Sequence, residues 1–262
     1  MNYSTLNVQT QDAVIRVQMH RPEANNGINA RLVRDLTDAI EQTQRNPDLR
    51  VFVLEGLPEV FCSGNDFQSL AQKSGDELSS REDIGRYYDV LQSLTEIPLT
   101  TVALIRGRVN AGGVGFAAAC DLSIVHPEVN FALSEMLFGL LPACVLPFVV
   151  RRVGFQRAKL LALTTQPICA KQAVEWGLAD EVDENLERRL RLRTARLACL
   201  EREAIGRLKT YVNQLSPLEE TTRTRAIDTI EPLIADPKIR AAIGAFIREG
   251  IYPWQANTKS SS

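Results

Sequence analysis

The pattern of hydrophobic and polar positions predicts short β-strands along the first half of the chain. Apolar or alternating runs of this length, bounded by turn-forming residues, are typical of strands that lie in a core. Such runs occupy residues 12–19, 51–56, 99–107, 122–127 and 130–135. Two segments rich in glycine, proline and polar residues, 20–29 and 59–67, are predicted as loops.

Helical periodicity follows the first predicted strand and dominates the second half. We predict that Asn29 is the N-cap of a helix with one apolar face. That face consists of Leu32, Val33, Leu36, Ala39 and Ile40. A second amphipathic helix is predicted over residues 81–94, and helical patterns dominate after residue 142. The whole pattern predicts a mixed α/β domain with parallel strands and a helical extension.

Residues 184–209 are predicted as one helix rich in arginine, leucine and alanine. Its arginines lie largely between the apolar positions, which is typical of the solvated face of an amphipathic helix. The alternative is a surface that binds an acidic partner or a phosphate. The residues alone leave both interpretations open.

Composition and charge then narrow the classes of protein. A chain of 262 residues can bury a substantial core as one large domain. Its net charge of −2, with 24% charged residues, provides no excess of positive charge for nucleic acids or anionic membranes. No apolar run approaches the roughly 18–20 residues of a membrane span, and residues 1–14 lack the layout of a signal peptide. We therefore expect a cytoplasmic protein with no nucleic-acid or membrane partner.

Cysteine and histidine usage limits metal and nucleophile chemistry. The five cysteines are odd in number, widely spaced and set among apolar residues, which predicts reduced core residues instead of a disulfide or zinc framework. They are Cys62, Cys120, Cys144, Cys169 and Cys199. With only His20 and His126 available, histidine-based metal sites and serine–histidine triads are poorly supplied, so we expect no metal site.

Candidate chemistry centres on a glycine pair in the stretch RGRVNAGGVGFAAACD, residues 106–121. A strand that ends in such a turn and opens a helix exposes backbone N–H groups at the positive end of a helix dipole, where they can hold an anion. Phosphate binding is poorly supported because neither common phosphate-loop pattern is present. An oxyanion hole needs donors from a second loop, which FCSGNDF, residues 61–67, can supply. A third interpretation is that the glycines serve packing alone.

Four motifs, in their order and spacing, resemble the crotonase (enoyl-CoA hydratase/isomerase) superfamily. They are FCSGNDF, GRVNAGGVGFAAACD, FALSEMLFGLLP and AKQAVEWGLADEV, and the similarity extends over about residues 5–250. The resemblance implies a crotonase fold, a spiral of ββα units with a C-terminal helical region. By that resemblance the core spiral covers residues 1–195, and an oligomerisation region covers residues 196–255. The polar tail, residues 256–262, is predicted to be disordered. It also implies a homotrimer or a hexamer.

The resemblance assigns a site for acyl thioesters. Crotonases stabilise an enolate with two backbone N–H groups, which by position are those of Asn65 and Gly112. Enoyl-CoA hydratases carry one glutamate three residues after the donor glycine and another in the next strand-to-helix loop; here these positions hold Gly115 and Glu135. Glu135 is therefore the expected catalytic acid and base, with a pKa raised by burial towards the working pH. A helix cap or a buried ion pair is the alternative role for this carboxylate.

A finer resemblance is to the dehydratase-type crotonases of polyketide β-branching cassettes. It rests on HRPEANNGIN, VLEGLPEVFCSGNDFQ, IRGRVNAGGVGF and LSEMLFGLLPACVLPFVVRRVG. It implies dehydration of a 3-hydroxy-3-methylglutaryl thioester on an acyl carrier protein to the 3-methylglutaconyl form. No cofactor is implied, because the phosphopantetheine arm arrives with the substrate. A single carboxylate also suits an enoyl-thioester isomerase, and a non-catalytic member that binds a carrier protein or RNA is a further alternative.

Several neighbouring residues are candidate helpers or pocket residues. Asp66 is expected to accept hydrogen bonds at a helix start, and secondarily to assist catalysis. Asn110 and Ala111 precede the donor glycine, and Asn110 is a candidate to bind the 3-hydroxyl or a water in place of the missing glutamate. Tyr88, with its neighbour Tyr87, lies on a helix that borders the acyl pocket in crotonases, although such aromatic residues usually belong to a core.

The segment LLPACVLPF brings Cys144, with Pro142 and Ala143, near the expected pocket. Three arginines, Arg86, Arg106 and Arg108, are candidates to bind the distal carboxylate of the substrate. Nothing in their spacing distinguishes one from the others.

Overall fold

Two β-sheets form the centre of the computed structural model, which describes residues 3–67 and 78–255. Within these residues the strands are β1 (Leu6–Gln11), β2 (Val14–Met19), β3 (Val51–Glu55), β4 (Val60–Cys62), β5 (Thr100–Ile105), β6 (Arg108–Asn110), β7 (Leu122–Val125), β8 (Asn130–Ala132), β9 (Ile168–Cys169) and β10 (Glu181–Val182). The larger sheet has the order β1-β2-β3-β5-β7-β10 and is parallel except for the β1–β2 pair. The smaller sheet has the order β4-β6-β8-β9 and is parallel except for β8–β9.

From β3 to β8, successive strands go alternately to the two sheets. The strands β3, β5 and β7 pair in the larger sheet, and the strand that follows each of them pairs in the smaller one. A helix or helical turn follows each such pair of strands. The sheets are therefore built by a repeated strand–strand–helix turn, which is the predicted spiral of ββα units.

Helices enclose the two sheets and form the C-terminal region. They are α1 (Ala30–Arg45), α2 (Arg81–Glu96), α3 (Gly112–Ala119), α4 (Leu146–Thr164), α5 (Ala170–Trp176), α6 (Leu186–Leu197), α7 (Arg202–Leu215), α8 (Glu220–Ala235) and α9 (Pro237–Glu249). Short 3-10 turns occur at Pro22–Ala24 and Glu135–Phe138. No helix among the described residues is long and apolar enough to cross a membrane.

The start and the buried face of α1 are as predicted. The Asn29 side chain accepts a hydrogen bond from the Leu32 backbone N–H at 2.9 Å, so Asn29 is the N-cap. All five predicted apolar residues are buried. The periodicity of apolar residues was sufficient to predict this helix, because the helix packs one continuous apolar stripe against the core.

Several predicted elements differ in the structure. The predicted loop 59–67 contains the buried strand β4, which pairs with β6, and neither three-residue strand is long enough to show a period. The predicted strand 130–135 ends at Ala132 and is followed by the 3-10 turn that begins at Glu135. The polar edge strand β1 was not predicted, because its burial pattern does not alternate.

The predicted helix 184–209 is two helices, α6 and α7, separated by residues 198–201. In α6, Leu186 and Leu190 pack against the larger sheet, whereas Lys209 of α7 bonds to the carbonyl of Leu94 in α2. The chain turns between them because the two helices pack on different elements. The domain boundary predicted after residue 195 falls inside α6.

The arginines of α6 are largely occupied within the chain, which favours the solvated-face interpretation. Arg189 lies 2.9 Å from Asp183, and Arg193 pairs with Glu181. Among the cysteines, Cys169 and Cys199 are exposed, so the prediction of core residues was wrong for these two. The predicted disordered tail, 256–262, lies outside the described residues.

Candidate active site

One cavity brings together most of the predicted site residues. Its wall includes six of them, which are Asn65, Asn110, Ala111, Gly112, Glu135 and Cys144. The remaining wall is mainly apolar, and much of it comes from α2, the segment 140–145 and helix α8. Asp66 does not line the cavity. Of the two neighbouring tyrosines predicted to border the pocket, Tyr87 lines the cavity and Tyr88 does not, so the prediction was wrong for Tyr88.

The two predicted donor loops meet at the cavity with their amides free. On either side of Asn65, the Gly64 carbonyl accepts from the Ile28 amide at 2.7 Å, and the Asp66 amide donates to the Ile28 carbonyl at 2.9 Å. The Asn65 amide lies between these bonds and has no acceptor among the described residues. The same is true of the Gly112 amide in the first turn of α3, where helical N–H groups have no partner within the helix.

The backbone at Ala111 turns the chain sharply from β6 into α3. Its φ of +50° lies in a region that residues with a Cβ rarely adopt, and such strain is concentrated at functional sites. The Ala111 amide is fixed by a 2.8 Å bond to the Ala132 carbonyl. A Cβ at Gly112 would lie 2.6 Å from the terminal methyl carbon of Ile28, so any larger residue would have to displace the end of that side chain. Gly112 therefore combines tight packing against Ile28 with a backbone N–H that has no acceptor among the described residues.

Glu135 brings a buried carboxyl group to the same cavity. It is the first residue of the 3-10 turn that follows β8, and it is partly exposed as a residue, yet its Oε2 atom is buried and has no hydrogen-bond partner. Burial raises the pKa of Glu135 to about 7, and a hydrogen bond from its own backbone amide lowers it by less. Among the described residues Glu135 makes no ion pair, which leaves the buried-pair alternative without support.

The position of the absent second glutamate is filled by a tyrosine. A Cβ at Gly115 would lie 2.6 Å from the Tyr87 hydroxyl oxygen and 3.1 Å from a methyl carbon of Leu91. The Tyr87 hydroxyl donates a 2.7 Å hydrogen bond to the Gly112 carbonyl. Burial raises the pKa of Tyr87 well above its usual value, so this phenol stays protonated. Tyr87 thus occupies the space beside Gly115 and supports the donor loop.

Asn110 connects the two loops that carry the candidate groups. Its Nδ2 atom donates to the Ser63 carbonyl at 3.2 Å and to the Ser134 hydroxyl at 2.8 Å. Its Oδ1 atom is buried and has no partner. Ser63 and Ser134 also line the cavity and were not predicted, although each lies within two residues of a predicted site residue.

The remaining predicted helpers have structural partners instead. Asp66 forms a buried ion pair with Arg21 at 2.8 Å and does not line the cavity. The helix start at which Asp66 is predicted to accept hydrogen bonds continues into residues 68–77, which lie outside the described residues. The Tyr88 ring is fully buried and packs against Phe148 with ring centroids 5.3 Å apart. Burial raises the pKa of the Cys144 thiol to about 12, so it lines the wall as a neutral group.

None of the three candidate arginines lines the cavity. Arg106 pairs with Glu55 and Glu187, Arg86 pairs with Glu82, and Arg108 is exposed at the start of β6. Among the cavity-lining residues in the described part of the chain, none is cationic. The described residues also include no cluster of histidine, cysteine and carboxylate side chains that could hold a metal ion.

Comparison with known proteins identifies similar chains over nearly the whole length. The family model for enoyl-CoA hydratase/isomerase matches residues 9–257. The bacillaene synthase dehydratase PksH of Bacillus subtilis (strain 168) is 38% identical over 258 residues, which is 97% of this chain and 98% of PksH.

Solved structures agree with this similarity. The crystal structure of Bacillus subtilis PksH matches with a TM-score of 0.90 and 39% identity, over 96% of this chain and 100% of that chain. An enoyl-CoA hydratase from Bacillus halodurans matches with a TM-score of 0.83 and 22% identity, over 92% of this chain and 100% of that chain, and shows the same fold. The predicted fold is confirmed.

Proposed function

Because the chain belongs to the enoyl-CoA hydratase/isomerase family, the crotonase superfamily, we propose that it dehydrates 3-hydroxy-3-methylglutaryl-ACP to 3-methylglutaconyl-ACP during polyketide β-branching. The chain is an enzyme of the hydro-lyase class, similar to a polyketide-associated dehydratase. The observation that carries the proposal is a single buried carboxylate, Glu135, whose Oε2 atom has no hydrogen-bond partner and which lies in the same cavity as two free backbone amides. The similarity to PksH over 97% of the chain supports a β-branching substrate.

The chemistry requires only groups that line the cavity. Ionised Glu135 removes a proton from the carbon next to the thioester, and the electron pair moves into the carbonyl to give an enolate. The amides of Asn65 and Gly112 donate to the enolate oxygen, as in an oxyanion hole. The enolate then re-forms the carbonyl, the double bond forms between C2 and C3, and the C3–O bond breaks. Glu135 returns its proton to the departing hydroxyl, which leaves as water.

A pKa of about 7 suits both halves of this exchange. A carboxylate with this pKa is substantially ionised at neutral pH and is a stronger base than an ordinary glutamate. After it has taken the proton, it is also an acid of useful strength for the departing hydroxyl. One group can therefore serve in turn as base and acid, with no second glutamate near Gly115.

We propose that the substrate arrives on an acyl carrier protein whose phosphopantetheine arm supplies the thioester. The enzyme then needs no metal or redox cofactor of its own. We further propose that it works as a homotrimer or a hexamer. The exposed apolar residues of α7, which are Leu208, Tyr211, Val212 and Leu215, support an assembly of copies.

The decisive experiment offers two carrier-protein thioesters side by side, with the products analysed by mass spectrometry. We expect 3-hydroxy-3-methylglutaryl-ACP to lose one water, and Glu135→Gln to abolish this loss. Conversion of a 3-enoyl-ACP to its 2-enoyl isomer, with no dehydration, would instead identify an isomerase. Turnover of neither thioester would indicate a non-catalytic binding protein.

A third thioester tests the distal carboxylate. Because no described cavity residue is cationic, neutral donors or the cavity mouth must accommodate this charge. If 3-hydroxy-3-methylbutyryl-ACP, which lacks the carboxylate, were dehydrated with a higher kcat/KM, the glutaryl substrate would be wrong while the dehydratase chemistry would stand. We expect the glutaryl form to be preferred.

A further inference from the structure

Buried oxygen atoms without partners are concentrated in the active-site cavity. Side-chain polar atoms that are buried in proteins nearly always have a hydrogen-bond partner, because burial without one is costly. Among the described residues, three that lack one belong to this single cavity: Asn65 Oδ1, Asn110 Oδ1 and Glu135 Oε2. The three atoms are all acceptors when Glu135 is ionised. The cavity therefore suits a ligand that donates hydrogen bonds.

The orientation of the Asn110 amide follows from its neighbours. One contact of this side chain is the backbone carbonyl of Ser63, which can only accept, so the atom facing it must be the nitrogen. The second contact of the same nitrogen is the Ser134 hydroxyl. An amide nitrogen has two hydrogens, and both are used by these contacts. Asn110 can thus offer the cavity its oxygen and nothing else.

We propose that Asn110 is a substrate-binding residue whose Oδ1 accepts a hydrogen bond from the 3-hydroxyl of the substrate. This inference rests on the proposed dehydration, in which that hydroxyl is the leaving group. When the O–H donates to Asn110, the lone pairs of the hydroxyl oxygen stay available for the proton that Glu135 returns. The same acceptor disfavours a carbonyl or a carboxylate oxygen at C3, because two acceptors would face each other.

Asn110 thereby selects the reactant by its hydroxyl group. A site built to bond a substrate hydroxyl rejects the analogue that lacks it, since the protein acceptor is then buried and unpaired. The Tyr87 hydroxyl donates its hydrogen to the Gly112 carbonyl, so it has no hydrogen left to donate to the substrate. Asn110 supplies a hydroxyl-binding group in a cavity where no second glutamate does.

The test compares Asn110→Ala with Ser134→Ala on two reactions of the same site. Dehydration needs the hydroxyl contact, whereas exchange of the C2 proton of 3-methylglutaryl-ACP in D2O needs only Glu135 and the free amides. We expect Asn110→Ala to lower kcat/KM for dehydration by about 10- to 100-fold, as expected for a lost buried hydrogen bond to substrate, and to keep exchange within about threefold of the wild type. Retained exchange also shows that the variant is folded.

Ser134→Ala is the matched control for the loop contact. It removes one partner of Asn110 Nδ2 but leaves the Oδ1 acceptor in place, so we expect it to affect exchange and dehydration by similar, smaller factors. Equal losses of both reactions in Asn110→Ala would overturn the proposal, since Asn110 would then only hold the loops together. Wild-type dehydration by Asn110→Ala would overturn it as well.

Binding separates failure of this proposal from failure of the proposed function. In a Glu135→Gln background, which prevents turnover, affinities are measured for 3-hydroxyacyl thioesters and their 3-deoxy counterparts. We expect the hydroxylated ligand to bind about tenfold more tightly, and Asn110→Ala to remove that preference. If the wild type dehydrates no glutaryl substrate, the proposed function fails, yet this preference still decides the role of Asn110. An absent preference excludes the hydroxyl contact whatever the reaction.

Discussion

Two buried charged groups in this molecule have opposite surroundings. Lys209 of α7 donates to the carbonyls of Leu94 and Leu99 at 3.0 and 3.1 Å and to Asp121 Oδ2 at 2.7 Å. The same Asp121 oxygen accepts from the backbone and the hydroxyl of Thr101 at 2.8 and 3.0 Å. In the cavity, by contrast, Glu135 Oε2 is buried with no partner.

This difference distinguishes a buried charge that stabilises the fold from one that is available for catalysis. A buried ion whose hydrogen-bonding capacity is filled connects the elements around it and has nothing left for a ligand. A buried carboxylate that has one oxygen without a partner destabilises the fold in its charged form, and this oxygen remains available to a substrate. The distribution of unpaired atoms thus locates the chemistry more sharply than the distribution of charge.

The largest effect is expected for Glu135→Gln on dehydration. Loss of the group that both removes and returns the proton should lower kcat by about 10³-fold, within the range seen for general acid–base catalysis. The measurement is single-turnover dehydration of carrier-protein substrate. Lys209→Met is the control from the other site, and its folded fraction should turn over at the wild-type rate. A near-normal kcat in Glu135→Gln would show that Glu135, like Lys209, has no catalytic role.

Stability, unlike activity, should depend on Lys209 more than on Glu135. Lys209→Met should lower the free energy of unfolding by about 3 kcal/mol, because it leaves Asp121 without its cation. The value is at the low end for a buried pair because the Asp121 side chain is 31% exposed. Urea denaturation checks this, with Lys159→Met on the exposed side of α4 as a control within about 0.5 kcal/mol of wild type. Similar midpoints for both lysine variants would contradict it.

Glu135→Gln should itself stabilise the protein, but only at higher pH. The pKa of Glu135 is about 7 in the folded protein and 4.5 for an ordinary glutamate, so its contribution is fully present below pH 4.5 and is lost as pH rises through 7. The neutral glutamine avoids this loss and should gain up to about 3 kcal/mol above pH 8. Urea midpoints at pH 4.5 and pH 8.5 measure the difference. A gain that does not grow with pH would mean that burial does not destabilise the charged form of Glu135.

A smaller effect is expected where Tyr87 fills the place of the second acid. Gly115→Ala should cost about 1–3 kcal/mol, because its Cβ would meet the Tyr87 hydroxyl oxygen at 2.6 Å. Combining it with Tyr87→Phe removes that oxygen, so the double variant should be more stable than the sum of the single changes predicts. A double-mutant cycle of unfolding free energies gives the coupling. Additive effects would show that the cavity has room beside Gly115.

Local patterns predicted those parts of the molecule whose side chains repeat along the chain. The helix α1 could be placed from Asn29 onward because its cap and its apolar stripe are both local. The short strands β4 and β6 could not, because three residues form no period and only the pairing of distant backbone groups defines them. The break between α6 and α7 likewise follows from packing on different elements.

In the candidate site, too, contacts between residues distant in the sequence could not be predicted. Motif order brought attention to Asn65, Gly112 and Glu135, and the structure places all three on one cavity. Sequence could not show that Tyr87 lies over Gly115, since a contact between two helices 28 residues apart has no local signal. Nor could it show which atom of Asn110 is free, because that depends on a carbonyl from a different loop.

The contact of Tyr87 with Gly115 also bears on how a second acid could be engineered into this cavity. A glutamate at position 115 would require Tyr87 to move, because even the first carbon of its side chain would lie 2.6 Å from the phenol oxygen. Changing Tyr87 first would remove the bond that holds the Gly112 carbonyl before any new acid exists to compensate. Each of the two substitutions made alone therefore carries a structural cost, and an engineered second acid would require positions 87 and 115 to be changed together.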